Sequence, residues 1–259
     1  TEKLFTKNFT LLILGQITSL FGNFILKLAL SMYVLEATGS AAIFAGILSA
    51  ATIPTILLSP LGGILADRTD RRNIMVALDA LTGVSVLCAA LFLSESNAIA
   101  VISTLLIILS ILGAFETPTV QACIPTMLQG DNIMKGNAVV NQVASLSYLI
   151  APMLGGVLYA MLGLKPVMYA SLVCFFITAL FECFIKLSYQ CIQNQGGVLQ
   201  IVKQDFLSSM QYISKEQTSI SKMLLLTAFS RFFVMGITIV GLPFLVRTVL
   251  GFNPKYYGA

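Results

Sequence analysis

The stretch Gly62-Gly63-Ile64-Leu65-Ala66-Asp67-Arg68-Thr69-Asp70-Arg71-Arg72 lies between two long apolar runs and decides the fold. Its last six residues include three arginines and two aspartates, in a chain of which only 10% of the residues are charged. Charges this dense between two apolar segments are typical of a short cytoplasmic loop that joins two membrane-spanning helices. The stretch therefore predicts a membrane topology together with specific ion pairs at one face of the membrane.

The composition places the whole chain in a membrane. Hydrophobic residues make up 57% of it and the mean hydropathy is +0.91, whereas soluble domains contain roughly 45–50% apolar residues. A spanning helix needs about 20 mainly apolar residues. Seven segments satisfy this length, at 9–35, 41–66, 73–93, 98–124, 134–162, 166–187 and 220–249. The expected fold class is an all-α membrane protein.

The distribution of Lys and Arg orients these segments. With the N-terminus in the cytoplasm, ten cationic residues lie on the inner side: Lys3, Lys7, Arg68, Arg71, Arg72, Lys135, Lys186, Lys203, Lys215 and Lys222. Three lie outside, namely Lys165, Arg247 and Lys255. This bias follows the positive-inside rule. It predicts a multi-pass protein of the cell (inner or plasma) membrane with a cytoplasmic N-terminus.

The same residues argue against other classes of protein. The Lys and Arg side chains lie at loop ends and form no basic stripe, so the net charge of +4 is not a nucleic-acid signature. The chain has no histidine, and its five cysteines include no C-x-x-C pair. Neither a metal site nor a cofactor is therefore expected.

The pattern predicts three regions along the chain. Residues 1–187 are expected to form an N-terminal bundle of six transmembrane helices, and 188–219 a cytoplasmic amphipathic linker. Residues 220–259 are expected to begin a C-terminal bundle, with helix seven and the start of helix eight. Because the chain begins at Thr1 and stops where an eighth helix would start, we expect it to be part of a longer protein. Six plus six helices around a central linker is a common transporter plan.

Polar residues within the apolar segments are the candidates for a substrate cavity. In the first segment Gln16, Ser19, Asn23, Lys27 and Ser31 recur every three or four residues, which places them on one face of a helix. A polar face is costly in lipid, so we expect it to line a wet cavity or to hydrogen-bond to neighbouring helices. The predicted cavity residues are Gln16, Asn23, Lys27, Asn141 in segment five and Arg231 in segment seven.

Two carboxylates lie inside the predicted bundle. Asp79 is six residues into segment three, about 9 Å deep, and either binds a proton or pairs with Arg71, Arg72 or another cation of the inner side. Glu116, close to Pro118 in segment four, is either a gating group or a proton site. Both are candidates for proton coupling.

Two motifs resemble a known family. Gly63, Leu65, Ala66, Asp67, Arg68, Arg71 and Arg72 match the pattern G-x-L-A-D-R-x-G-R-[KR], which characterises the loop between helices two and three of the major facilitator superfamily. Asp70 departs from it, and the D-R-x-D-R-R form resembles the drug-exporter branch that includes macrolide exporters and the enterobactin exporter. Pro152, Gly155 and Gly156 are similar to the antiporter motif G-P-x-x-G-G, with Ala151 in place of its first glycine.

The resemblance implies the major facilitator fold and secondary active transport by alternating access. It favours a proton-coupled exporter of amphipathic or hydrophobic compounds, with a small-molecule substrate, protons as the coupling ion and the lipid bilayer as surroundings. Gly63, Asp67, Arg68, Arg71 and Arg72 would form a gating loop, in which Asp67 caps a helix of the second half. In exporters the antiporter motif is thought to seal one half against the other.

Three alternatives remain open. One is a major facilitator transporter of a lipid, a siderophore or another solute. The others are a seven-helix receptor and an intramembrane enzyme. A receptor would normally place its N-terminus outside, against the charge bias. The serine, metal and aspartate motifs of intramembrane proteases do not occur in the sequence, so we expect no enzymatic activity.

Overall fold

The computed structural model describes residues 4–187, 207–208, 211–212 and 218–236. The chain divides into two compact units, Thr1–Gln195 and Gly196–Ala259. The first unit contains six helices: α1 (Lys7–Thr38), α2 (Ala41–Arg68), α3 (Arg71–Phe92), α4 (Ala98–Met127), α5 (Asp131–Leu162) and α6 (Leu164–Cys183). The second contains α7 (Thr218–Gly236). Every secondary-structure element in the described residues is a helix, so the prediction of an all-α fold is confirmed.

Six of the helices have the length of a membrane span. Helices α1 to α6 are each at least 20 residues long, and their best 18-residue windows have a mean hydropathy between 1.6 and 2.6. They correspond to the first six predicted segments. The seventh segment corresponds to α7 up to Gly236, and its remainder lies outside the described residues. Most of the predicted linker, 188–219, also lies outside them.

The connections are short because the helix ends are capped within a few residues. Thr6 caps α1, with its hydroxyl accepting from the Phe9 N–H at 3.3 Å. The same helix ends at Gly39, whose φ of 61° is the left-handed conformation that glycine adopts most readily. Ser40 then caps α2 by accepting from the Ile43 N–H. Only two residues, 39 and 40, therefore separate α1 from α2.

The helices of the first unit pack around α1 and along α4 and α6. Extensive contacts join α1 to α5 and α6, α3 to α4 and α6, and α2 to α4. The interior contains two apolar clusters. One lies around Leu30, Ile102 and Phe175, and the other around Phe9 and Ile124. Many apolar side chains point outward, among them Ile56, Leu57, Leu91 and Phe92, as expected for a surface that meets lipid.

The contact between α2 and α4 depends on Gly62, the first residue of the stretch 62–72. A Cβ on Gly62 would lie 2.6 Å from the Ala114 carbonyl oxygen and 3.1 Å from the Phe115 Cα. Both are backbone atoms, so a side chain at position 62 could be accommodated only by a shift of the whole α4 helix. Next to it, Gly63 has no neighbouring atom within 4 Å of its Cβ position. Within this unit the helix contact therefore needs Gly62, whereas the family pattern begins at Gly63.

We predict opposite outcomes for alanine at these two glycines. Gly62→Ala should lower the free energy of unfolding by about 1–3 kcal/mol, because the added methyl group overpacks the α2–α4 contact. Gly63→Ala, the matched control, should leave stability unchanged or slightly higher, since alanine favours a helix. Denaturant unfolding of both purified variants in detergent micelles measures this difference. Equal stability of the two variants would contradict the close contact.

Candidate functional site

The charged loop is shorter than the sequence predicted. Asp67 and Arg68 belong to the last turn of α2, and Arg71 and Arg72 to the first turn of α3. Only Thr69 and Asp70 lie between the two helices. Asp70 caps α3, with its carboxylate accepting from the Arg72 N–H at 3.1 Å. The residue that departs from the family pattern is thus an N-cap, for which aspartate is strongly preferred.

The arginines of this loop fasten three helices together at one end of the bundle, which we call the loop end. Arg71 Nε donates to the Ala66 carbonyl at 2.8 Å, and its Nη2 lies 3.5 Å from Asp67 Oδ1. Arg72 donates to the carbonyl of Cys183, at the end of α6. The Asp67 side chain is 74% exposed. Its carboxylate is therefore free to make further contacts at this surface.

A cavity of about 330 Å³ opens between α1, α2, α4 and α5. Five residues that were predicted separately from the sequence line it together: Gln16, Asn23, Lys27, Glu116 and Asn141. Thr55, Ser110, Thr117 and Gln121 add further polar groups, and Leu20, Phe24, Leu109 and Val120 add apolar surface. The cavity thus mixes amides, one cation and one carboxylate with aliphatic and aromatic walls. Such a lining suits a small amphipathic molecule.

Two amide groups of the cavity have unused hydrogen-bonding capacity. Gln16 Nε2 and Asn23 Oδ1 are buried, and neither has a hydrogen-bond partner among the described residues. One is a donor and the other an acceptor. Buried polar groups without partners cost about 1–3 kcal/mol each. Neither atom is accessible from the cavity in this conformation, so its side chain must rotate before it can bond to a molecule there.

The polar stripe of the first segment serves two environments. Gln16, Asn23 and Lys27 line the cavity, whereas Ser31 donates to the Lys27 carbonyl of its own helix at 2.6 Å. Ser19 is 1% exposed and lies outside the cavity lining. Its hydroxyl lies 3.0 Å from Asp79 Oδ1 and 3.1 Å from Glu116 Oε1. The serine therefore joins carboxyl groups from α3 and α4.

These contacts accommodate an additional proton. A hydroxyl has one hydrogen, which it donates to one acceptor or shares between two in a bifurcated bond. Protonation of one carboxyl group would give Ser19 a separate hydrogen bond at each distance. Lys27 interacts electrostatically with Glu116 from the cavity side. Asp79 accepts from Ser19, whereas Arg71 and Arg72 bond to backbone groups and to Asp67. The role of Asp79 as a proton site or as an ion-paired group stays a prediction.

The antiporter motif lies at a close contact between α5 and α1. A Cβ on Gly155 would lie 3.1 Å from the Ile25 Cα, and one on Gly156 would lie 3.7 Å from a Leu28 methyl group. Pro152 is in the same helix, one turn before Gly155. Within the first unit these residues bring two helices together. Their predicted part in joining the two halves remains a prediction.

The second unit carries the last predicted cavity residue. Arg231 lies in α7 and is exposed in that unit. Its role as a cavity residue stays a prediction.

Glu182 was missed by the sequence analysis. This glutamate of α6 is 1% exposed and is a neighbour of both Asp79 and Glu116. It lies five residues before the end of the predicted membrane segment 166–187, where a charged side chain normally reaches the interface. The signal that could have found it is its spacing of four from Thr178, which marks one polar face on an apolar helix.

The fold and the cavity define a class, a multi-pass helical membrane protein with a polar site between its helices. The family model of the Major Facilitator Superfamily matches residues 12–259, and the chain belongs to this family. The sequence-based resemblance to this family and its fold is thereby confirmed.

Efflux proteins are among the relatives. The chain is 27% identical over 199 residues to macrolide efflux protein A of Streptococcus pyogenes, across 76% of this chain and 48% of that protein. It is 29% identical over 159 residues to the multidrug efflux pump Tap of Mycolicibacterium fortuitum, across 59% of this chain and 39% of the pump. The chain thus spans about half the length, or less, of these curated relatives.

A solved structure has the same fold. The human organic anion transporter MFSD10 (TETRAN) superimposes with a TM-score of 0.69 and 20% identity. The match covers 97% of this chain and 67% of that protein.

The role of Ser19 can be separated from that of a hydroxyl bonded within its own helix. We predict that Ser19→Ala lowers the free energy of unfolding by about 1–3 kcal/mol, because two buried carboxyl groups lose their shared partner. Ser31→Ala is the matched control on the same helix and should cost less than about 1 kcal/mol. Unfolding titrations in detergent micelles compare the two. Equal losses would show that Ser19 does not join α1 to α3 and α4.

Proposed function

We propose that the full-length protein is a secondary active transporter that exports amphipathic or hydrophobic small molecules by alternating access. The observation that carries this proposal is the cavity between α1, α2, α4 and α5, whose lining combines amides, Lys27 and Glu116 with apolar walls. Such a lining suits a substrate that is mainly apolar and carries few polar groups. Relatives named as efflux proteins support the direction of transport.

The proposed energy source is a proton gradient. Asp79 and Glu116 share the Ser19 hydroxyl, an arrangement that is satisfied by one extra proton. Glu116 also lines the cavity and interacts with Lys27. A substrate that approaches Lys27 would alter the charge balance at Glu116. Release of the proton and binding of the substrate would thereby be linked, as antiport requires.

The proposed orientation places the N-terminus and the loop end in the cytoplasm of the cell. Asp67, Arg68, Arg71 and Arg72 would then act at the cytoplasmic gate. The exposed carboxylate of Asp67 is available to a helix of the second half, where it would meet a positive helix end. Pro152, Gly155 and Gly156 would allow α5 to bend against α1 as the gate moves.

Efflux measurements in cells test the proposal. Cells that produce the full-length protein should retain less ethidium, and tolerate more macrolide, than cells that lack it. Collapse of the proton gradient should abolish the difference, because proton antiport drives export. Unchanged retention and tolerance would remove drug export and favour transport of a lipid, a siderophore or another solute. Export that survives the loss of the gradient would exclude proton coupling.

Lys27 provides a sharper test of the cavity. We predict that Lys27→Met changes the rate or the KM of efflux by about tenfold, equivalent to ~1.4 kcal/mol, since it removes the cation beside Glu116. Lys165→Met is the matched control, because Lys165 lies at the start of α6 and outside the cavity lining. Transport kinetics in proteoliposomes measure both. Equal small effects would show that Lys27 does not act on substrate or protons.

A further inference from the structure

Glu182 is a buried carboxyl group that the mechanism above does not use. It lies in the last turn of α6 and is 1% exposed. One turn earlier, Thr178 donates to the Gly15 carbonyl at 3.2 Å, which holds this part of α6 against α1. A carboxylate buried among helices is costly unless protein groups or a proton compensate its charge. Whether Glu182 is charged or protonated therefore depends on the groups that surround it.

The neighbours of Glu182 supply little compensation. The ionisable groups that act on it are Asp79 on α3, Glu116 and Cys123 on α4, and Cys183 on its own helix. All of these become negative or neutral, and none becomes positive. From α1, Gly15 lies beside Glu182 and has no side chain that could donate a hydrogen bond. The arginine that reaches this end of α6, Arg72, donates to the Cys183 carbonyl, and among the described contacts no ion pair joins it to Glu182.

Asp79 and Glu182 face neighbouring turns of α1, since Ser19 bonds to Asp79 and Gly15, one turn earlier, lies beside Glu182. Two carboxyl groups can hydrogen-bond to each other only when one of them carries a proton. In agreement, Asp79 Oδ2 and Glu182 Oε2 are both buried and have no donor among the described residues. Asp79 is itself 2% exposed. A proton shared between the two groups would supply the missing donor.

A metal ion fits this site less well than a proton does. In the described part of the chain, no group of three acidic, cysteine or histidine residues has an arrangement that could hold a metal. The carboxyl groups instead form a row of neighbouring groups. Glu116 contacts Ser19, Ser19 contacts Asp79, and Asp79 neighbours Glu182. This row extends from the cavity wall to the last turn of α6.

The end of α6 that carries Glu182 is tied to the loop end. Arg72 donates to the carbonyl of Cys183, the residue next to Glu182. Asn8 at the start of α1 bonds both backbone groups of Lys186, at 2.7 and 3.2 Å. A movement of the α2–α3 loop would therefore act directly on the position of Glu182 relative to Asp79.

We propose that Glu182 shares a proton with Asp79 and is the loop-end member of a proton-transfer chain, Glu116–Ser19–Asp79–Glu182. In each step an O–H bond breaks on one group and an O–H bond forms on the next. Ser19 receives a proton from one carboxyl group as it gives its own to the other, so the serine is unchanged and no electrons are transferred. The transfer role rests on the proposed proton-coupled transport, whereas the shared proton does not.

The test uses the full-length protein in proteoliposomes with two independent measurements. The first is the infrared C=O absorption of protonated carboxyl groups at neutral pH, and the second compares efflux driven by a pH gradient with substrate exchange at equal pH. Glu182→Gln keeps the shape of the side chain and removes the titratable carboxyl group. Glu182→Asp keeps the carboxyl group. Ser171→Ala, buried on the same helix, and Glu95→Gln, an exposed carboxyl group, are the controls.

We expect Glu182→Gln to reduce the infrared absorption and to slow gradient-driven efflux at least tenfold, while exchange slows less than threefold. Glu182→Asp should recover part of the driven efflux, and both controls should behave as the wild type. An unchanged infrared absorption in Glu182→Gln would overturn the shared proton. Equal loss of exchange and driven efflux would overturn the transfer role, since a structural residue affects both.

The two proposals fail in distinguishable ways. Wild-type protein without gradient-driven efflux, but with an infrared absorption that Glu182→Gln reduces, would refute proton-coupled transport and the transfer role. The same result would support the shared proton between Asp79 and Glu182.

Discussion

A carboxyl group buried between membrane-spanning helices is poorly solvated, so other protein groups or a proton must compensate its charge. In this protein three such groups come from three different helices: Asp79 and Glu116 meet at Ser19 of α1, and Glu182 lies beside Asp79. The contact with Ser19 joins α1 to α3 and α4 by polar bonds in a largely apolar interior. Helices in lipid gain little from apolar burial against one another, so such polar contacts and close packing of small residues determine how they assemble.

Close approach of the helices is the second requirement. At Gly62 the backbone of α4 occupies the space that a side chain would need, and at Gly155 α1 lies almost as close. Gly155 belongs to the stretch that resembles the antiporter motif, and Gly62 directly precedes the loop motif, which begins at Gly63. Their positions show that these stretches also serve the internal packing of one bundle. A motif that is read as a gate or a seal between halves therefore has a local structural function as well.

The cavity and the carboxyl cluster adjoin each other at one residue. Glu116 faces the cavity with one side and reaches Ser19 with its carboxylate, so the polar ligand site and the buried acids share a side chain. Lys27 acts on the same glutamate from the cavity. This adjacency offers a physical link between a bound solute and a bound proton. The loop end is connected as well, since Arg72 bonds to the residue beside Glu182.

The amino-acid sequence by itself determined the all-α membrane fold, the six spanning helices and the family, because long apolar runs and a charged loop are local signals. It also identified Gln16, Asn23, Lys27 and Asn141 as separate polar positions, since a polar residue in an apolar run is conspicuous. Only the tertiary structure decided which of them meet. It turned Ser19 away from the cavity lining, gave Asp70 a capping role and brought Glu182 beside Asp79, although 103 positions separate Asp79 from Glu182 in the chain. Contacts between residues so far apart depend on how whole helices pack, which no local pattern of residues specifies.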